Sequence, residues 1–499
     1  MAESQNLISK SRVARATKWS FAGEIAAKLI SPITNMILAR LLAPEIFGIV
    51  ATINMVIGFA DIFAGAGFQL YLIQHDFTDE EELHSYASSA FWISALIGIL
   101  MVLGIALFRH PLAALVGSPG HGNALLIAAL SIPLVAIISN LQSIYRRNLN
   151  YKPLFLRRML ALAVPLAVTI PLALLGMGIW SLVIGSLSGK VIELLALLAG
   201  KCYNPRLSCR LSHVVKMAPF CLTTLADQAL SWATTWIDIF IIGSILGSYY
   251  TGLYKNSQST VIGILAIVTT SLTPVLFSVL CRHAQDDRQF VQTMREFTEN
   301  LSFFLLPIGF GILVCRRLIT YVILGSAWME AADFIGIWGL ATTFSAVYAT
   351  YNREACCAKG KPYLNIVAHM ISLAAIIPAS YFGARAGFHT MIYWRSAAVL
   401  ALILGYCVVI AIGLRLNPLR WFAATLPSLL CAALMCLVIT ALQARNPALW
   451  LEIVLVAVGI VVYFALLALF PRQRLMMREW LEKGKRLFEK LCRRSKKAP

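Results

Sequence analysis

Ile179-Trp-Ser-Leu-Val-Ile-Gly-Ser-Leu-Ser-Gly-Lys-Val-Ile-Glu-Leu-Leu-Ala-Leu-Leu-Ala199 decides what kind of protein this is. The run matches the roughly 20 residues that a helix needs to cross a hydrocarbon core of about 30 Å. Its only charged side chains are Lys190 and Glu193. They stand i,i+3, one above the other on a helix face, where they can neutralise each other. In lipid a backbone must satisfy its own amides, which a helix does within one segment.

The same pattern recurs along the chain. Before the quoted stretch, comparable runs lie at Trp19–Leu38, Phe47–Leu70, Ser89–Phe108, Ala124–Ser143 and Met159–Leu175. After it come Phe220–Leu246, Ser257–Leu280, Leu301–Val314, Phe334–Tyr351, Leu364–Gly383, Met391–Leu414, Trp421–Leu442 and Leu449–Phe470. The expectation is an all-α polytopic membrane protein with about 14 transmembrane helices. Alternating strand-length segments are absent, which argues against a β-barrel. Composition agrees: 59% of the 499 residues are hydrophobic and 13% charged, where soluble domains carry about a quarter charged. A soluble enzyme, a disordered chain and a disulfide scaffold are excluded.

The formal charge of +19, from 42 Lys and Arg against 23 Asp and Glu, is mostly topology. With the N-terminus in the cytoplasm, thirty-two cations fall on the cytoplasmic side and seven on the other. The positive-inside rule then puts both termini in the cytoplasm. Arg146, Arg147, Lys152, Arg157 and Arg158 count among the cytoplasmic connections in this scheme. A nucleic-acid binder would carry such charge on a solvated face of a soluble fold, so no nucleic acid is expected. Three cations remain inside spans: Lys28, Lys190 and Arg395. A buried cation needs a partner or an aqueous cavity.

Two passages match at an offset of 204 residues: Leu42-Ala-Pro-Glu-Ile-Phe-Gly48 and Leu246-Gly-Ser-Tyr-Tyr-Thr-Gly252. Each joins one long apolar run to the next. They suggest two six-helix lobes and the following division: a basic N-terminus at 1–18, an N-lobe at 19–212, a C-lobe at 213–415, two further helices at 416–470, and a basic tail at 471–499. Internal repeats with a site between them are a familiar basis for alternating access; coincidence in apolar sequence is the other explanation. In the tail, Met477, Trp480, Leu481, Gly484, Leu487, Phe488 and Leu491 recur at helical spacing among Lys and Arg. It reads either as an interfacial amphipathic helix on the cytoplasmic leaflet or as a solvated basic tail.

Chemistry-bearing motifs are few. Gly185-Ser-Leu-Ser-Gly189-Lys190 has one residue too few between its glycines for a phosphate loop, and no Ser or Thr follows the lysine. The eleven cysteines read as reduced and structural, without metal-ligand spacing. No cofactor and no metal are assigned, and no catalytic residue. The outer connections Arg109–Asn123 and Arg316–Asp333 are short, which disfavours a membrane glycosyltransferase or polysaccharide polymerase, since either needs a sizeable outer loop. The acidic run Asp79–Glu82 reads as a solvated loop or a partner contact.

Several passages together resemble the polysaccharide exporter and lipid-linked oligosaccharide flippase family of the multidrug/oligosaccharidyl-lipid/polysaccharide superfamily. They are Ile37-Leu-Ala-Arg-Leu-Leu-Ala-Pro-Glu-Ile-Phe-Gly48, Leu72-Ile-Gln-His-Asp-Phe-Thr-Asp-Glu-Glu-Glu82 running into Phe91-Trp92, Tyr145-Arg-Arg-Asn-Leu-Asn-Tyr-Lys152, Thr273-Pro-Val-Leu-Phe277 and Ala327-Trp328. The similarity covers most of the first 360 residues and is most like colanic-acid and O-antigen type exporters. It implies a central cavity between two lobes, a bacterial inner-membrane location, and transfer of undecaprenyl-pyrophosphate-linked oligosaccharide from the cytoplasmic to the periplasmic leaflet. Membrane lipids are the other implied partner, with polysaccharide polymerase and assembly proteins as candidates. A cation-coupled multidrug or small-solute antiporter on the same fold is the main alternative, and a non-transporting scaffold a further one.

The substrate headgroup would be anionic, so Lys28, Arg395, Lys190 and Arg40 are the candidate cations of the cavity. Glu24 stands i,i+4 to Lys28, a charge pair that either opens for the headgroup or locks the first span. Lys190 and Glu193 invite the same two readings. Asp61, Asp227 and Asp238 are the unpaired intramembrane acids and the candidates for ion coupling. Asp227 reads as the most interior, with Asp238 facing it. Trp232, Trp236 and Tyr254 are candidates for stacking on sugar rings.

Overall fold

The computed structural model describes residues 32–65, 67–75, 77–148, 150–199, 209–361, 363–445 and 449–479, with Trp19, Ile30 and Glu482. Helix dominates, and among the described residues there is no β-strand. The order begins with α1 (32–41), α2 (Pro44–Gly65), α3 (Phe68–Gln74), α4 (Glu80–Leu115), α5 (Gly122–Ala129), α6 (Ser131–Arg147), α7 (Tyr151–Leu174) and α8 (Ile179–Ala199). It continues with α9 (Leu211–Leu246), α10 (Ser248–Arg282), α11 (Asp287–Val314), α12 (Arg316–Ile323), α13 (Ala332–Ser345) and α14 (Tyr351–Ala358). The last are α15 (Tyr363–Arg385), α16 (Phe388–Ala397), α17 (Val399–Val409), α18 (Leu419–Phe422), α19 (Leu426–Arg445) and α20 (Leu449–Leu467). Among the described residues, ten segments are long and apolar enough to cross a membrane. The other expected spans fall mostly on helix where they are described, the last one ending at Leu467 and not at Phe470.

Local chemistry sets the helix ends. Asp79 Oδ1 accepts from the Glu82 amide at 2.6 Å, and Glu82 Oε2 accepts from the Thr78 amide at 2.8 Å. The acidic run Asp79–Glu82 is therefore the capped first turn of α4 and not a loop, since carboxylates favour the positive end of a helix. Near its other end α4 bends at Phe108 (φ −107°, ψ 17°), three residues before Pro111. The ring of Pro111 has no N–H to give and clashes with the preceding turn.

Small residues let helices touch. A Cβ at Gly185 would lie 1.8 Å from Thr169 Oγ1, and one at Gly189 would lie 2.5 Å from Pro165 Cγ. Gly185-Ser-Leu-Ser-Gly189 is thus the packing face of α8 against α7, a small-xxx-small contact of the kind that joins membrane helices. On α2, Ile49, Ile53, Ile57, Ala60 and Ala64 recur at helical spacing and pack with Ile105, Leu125, Ile132 and Val183.

The two matched passages lie against each other. A Cβ at Gly48 would meet Ser248 O at 1.7 Å, and one at Gly252 would meet Pro44 O at 1.9 Å. Pro44 with Ser248, and Gly48 with Gly252, are both related by the same 204-residue offset. The contact is therefore reciprocal, as a two-fold axis between equivalent segments would make it. Ala39 and Gly243 are related by the same offset: Ala39 O accepts from the buried Trp328 Nε1 at 2.8 Å, while a Cβ at Gly117 would lie 1.7 Å from Gly243 O.

The described residues form two compact units. The first takes those up to 263 with 323–331 and 373–395, and the second takes the remainder. This division departs from a simple cut at 212, because α9 packs on α2 and belongs with the first helices. Trp232 Nε1 donates to Met55 O at 3.2 Å, and its ring lies 4.9 Å from Phe59. Within the second unit, Tyr463 on α20 donates to Phe303 O on α11 at 2.8 Å. The buried Glu299 of α11 takes an ion pair from Arg472 and a 3.1 Å hydrogen bond from Gln473. That fastens the start of the basic tail; the tail beyond 482 lies outside the described residues.

Candidate functional site: a cationic cavity on three helices

Within the first unit a cavity of about 680 Å³ lies among α6, α7 and α8. Each helix contributes one stripe at helical spacing. From α6 come Val135, Ile138, Ser139, Gln142 and Arg146; from α7, Leu154, Phe155, Arg158, Ala161 and Leu162; from α8, Lys190 and Glu193. Trp19 completes the lining, its ring 5.1 Å from that of Phe155. The volume falls within the roughly 300–1,000 Å³ of small-molecule sites.

One wall is a chain of polar contacts. Arg146 Nη2 donates to Gln142 Oε1 at 3.2 Å, and Gln142 Nε2 donates to Glu193 Oε1 at 2.9 Å. Glu193 Oε2 stands 3.6 Å from Lys190 Nζ. Glu193 is 8% exposed, so its charge requires these partners. With Arg158 the cavity has three cations and one carboxylate. The rest of the lining is aliphatic and aromatic apart from Ser139.

The neighbours of Arg146 turn to other work. Arg147 Nη1 donates to Leu72 O at 2.9 Å and His75 O at 2.6 Å, closing the C-terminal end of α3. Its guanidinium also lies 4.9 Å from the Phe77 ring. Tyr145 receives the guanidinium of Arg157 on its ring face at 4.5 Å. Three consecutive residues thus face a neighbouring helix, the cavity and a helix terminus.

The expected site residues separate. Lys190 lines the cavity, and Asp61 stands on α2 outside its lining. Glu24 and Lys28 lie outside the described residues. Arg40 ends α1 near the η-turn at Ser326–Ala331: a Cβ at Gly325 would stand 3.7 Å from its Cγ. Arg395 and Asp238, expected as a lone cation and an unpaired acid, bind each other. Arg395 Nε and Nη2 both lie 3.1 Å from Asp238 Oδ2. Tyr254 Oη donates to the same oxygen at 2.5 Å, and Gln258 Nε2 donates to Tyr254 Oη at 2.8 Å. Asp238 is 1% and Arg395 6% exposed, so tertiary burial has made a pair that no i,i+4 spacing could reveal.

Asp227 is exposed and does not meet Asp238. The two sit eleven residues apart on α9, about 16 Å at 1.5 Å per residue. The three aromatic candidates have protein contacts of their own. Tyr254 is 0% exposed and presents no open face. Trp232 is bound to α2 as described, and the Trp236 ring carries Lys255 Nζ at 4.5 Å. Arg146 and Arg158, which positive-inside counting places in cytoplasmic connections, line the cavity together with Gln142. Their signal was the i,i+4 spacing of Gln142 and Arg146 at the end of an apolar run, which positive-inside counting assigns to topology.

A charged cavity among long apolar helices belongs here to a multi-span membrane protein, whose fold has solved counterparts. It matches the lipid II flippase MurJ in an inward closed conformation with a TM-score of 0.76 at 16% identity, over 92% of this chain and all of that one. A multidrug resistance MATE family transporter in an inward-facing conformation matches with a TM-score of 0.54 at 13% identity, over 77% and 95%. Residues 37–333 match the family described as polysaccharide biosynthesis protein, and the chain belongs to that family. The succinoglycan biosynthesis transport protein ExoT of Rhizobium meliloti (strain 1021) is 28% identical over 329 residues, 66% of each protein. The lipopolysaccharide biosynthesis protein WzxC of Escherichia coli (strain K12) is 19% identical over 319 residues, 62% of this chain and 63% of that protein. The protein is a multi-pass transport protein of the bacterial inner membrane.

Proposed function

We propose that the protein moves undecaprenyl-pyrophosphate-linked oligosaccharide repeat units from the cytoplasmic to the periplasmic leaflet by alternating access, for exopolysaccharide or O-antigen synthesis. The observation that carries this reading is the amphipathic, net-positive cavity of Arg146, Arg158 and Lys190. It lies in a member of the polysaccharide biosynthesis protein family whose fold is that of a lipid flippase. Moving a pyrophosphate through hydrocarbon without counter-charges would cost tens of kcal/mol on a Born estimate. Cations held among the spans lower that cost. They suit an organic-cation exporter poorly, because such a cavity needs acids.

The deciding experiment deletes the gene and follows lipid-linked repeat units. Accumulation of complete repeat units on the cytoplasmic leaflet, with loss of the surface polymer, is the expected outcome. Normal surface polysaccharide with normal lipid-linked intermediates would sink the reading.

A further inference from the structure

We propose that the first turns of α9, residues 211–218, form a flap at the cytoplasmic end of the first unit, hinged at Pro219 and shut by His213 against Tyr86, and that the flap lifts and recloses in each transport cycle. The cycle rests on the transport reading; the flap rests on the contacts of α9.

Those contacts change in kind along the helix. Towards its C-terminal end α9 is locked: a Cβ at Gly117 would run into Gly243 O, and one at Gly243 into Val116 O. Midway, Trp232 Nε1 donates to Met55 O at 3.2 Å. At the other end the ring of His213 lies flat on that of Tyr86 of α4, with centroids 4.0 Å apart and planes 8° from parallel. His213 Nδ1 stands 3.4 Å from Ser85 Oγ, and the Arg210 amide donates to Ser89 Oγ at 3.1 Å. One turn on, Met217 is fully buried in a cluster with Leu72, Tyr86, Leu141 and Ile144. Stacked rings and apolar side chains part without displacing backbone. Glycines seated on carbonyls do not.

Pro219 divides the two regions. It has no N–H, so the carbonyl of Val215 lacks its helical donor, and its ring crowds the preceding turn. A helix bends most readily at such a point. His213 and Met217 lie on one side of it, and Trp232 and Gly243 on the other.

Its position gives the flap its use. In the division that the 204-residue offset suggests, α9 opens the second lobe, yet His213 and Met217 rest on α3, α4 and α6 of the first. Positive-inside counting places this end in the cytoplasm. The Gly48–Gly252 contact joins the same two lobes at the opposite end. In alternating access one junction is open while the other is shut. A hinge at Pro219 lets the cytoplasmic junction part while the rest of α9 keeps its seat.

The test puts Met217→Cys into the full-length protein freed of its native cysteines and follows its reaction with a membrane-impermeant maleimide in inverted membrane vesicles. The shut flap hides this thiol, and each opening exposes it. The expected reaction is slow, several-fold faster when His213→Ala removes the stack, and several-fold slower when Pro219→Ala returns a donor to the hinge. A slower rate together with a raised thermal midpoint is a result that misfolding cannot give. Equal rates in the three proteins, no reaction in any of them, or reaction only from the periplasmic face overturns the flap. In that event, cytoplasmic-leaflet accumulation of repeat units in the deletion strain still supports transport. Conversely, the labelling pattern stands for the flap even if the deletion strain exports normally. Where that strain loses its surface polymer, Pro219→Ala is expected to lower export as well; undiminished export there overturns the flap's place in the cycle.

Discussion

At the residue scale, the Asp238–Arg395 pair bears most directly on coupling. A carboxylate that carries a transported proton or cation must exchange its partner in every cycle. Asp238 instead keeps a guanidinium and a tyrosine hydroxyl on one oxygen, while its other oxygen accepts from the Ile239 amide at 2.8 Å. Asp238→Asn would leave a buried guanidinium without its counter-charge, a loss of about 3–5 kcal/mol. The double variant Asp238→Asn, Arg395→Gln removes both charges and is expected to recover most of that stability. Thermal unfolding in detergent measures both, and export by the double variant separates a structural pair from a coupling acid. Full stability in Asp238→Asn alone would show that the pair does not hold α9 to α16. Spacing along the chain hid this pair, because its members are 157 positions apart. The pair Lys190–Glu193, three positions apart, was legible.

At the element scale, glycines set how closely helices approach. The backbone oxygens of Ser248 and Pro44 occupy the places where side chains at Gly48 and Gly252 would begin. Gly48→Ala and Gly252→Ala are therefore expected to be equally damaging, each beyond the roughly 1–3 kcal/mol of ordinary overpacking. Gly104→Ala meets nothing within 4 Å and is expected to be silent. Membrane level and thermal midpoint of the three variants check this; a mild Gly252→Ala beside a severe Gly48→Ala would break the reciprocity. The matched passages were readable in the sequence as similar strings. That they touch each other was not, since a repeat states equivalence and leaves the contact to packing. The reverse holds for Gly185 and Gly189: their spacing misses a phosphate loop, and their use is to let α7 lie against α8.

At the scale of the whole molecule, the proposed alternating access predicts that the reciprocal contact opens and re-forms. Ser248 Oγ lies 3.5 Å from Glu45 Oε1, so cysteines at these two positions, in a background without the native cysteines, are placed to cross-link. Locking them is expected to stop export, and reduction to restore it; export by the cross-linked protein would remove this junction from the cycle. The sequence by itself determined that the chain is a bundle of apolar helices, because length and low charge leave a bilayer-spanning backbone no other way to satisfy its amides. It also led to the expectation that the cationic excess belongs mainly to topology, and it showed which strings repeat. Tertiary structure alone decided which charges meet. It joined Arg395 to Asp238, left Asp227 exposed, and made a cavity from Arg146, Arg158 and Lys190, which three separate helices carry. Charges buried in a medium of low polarity interact over distances set by packing, and packing brings together residues whose separation along the chain says nothing of their separation in space.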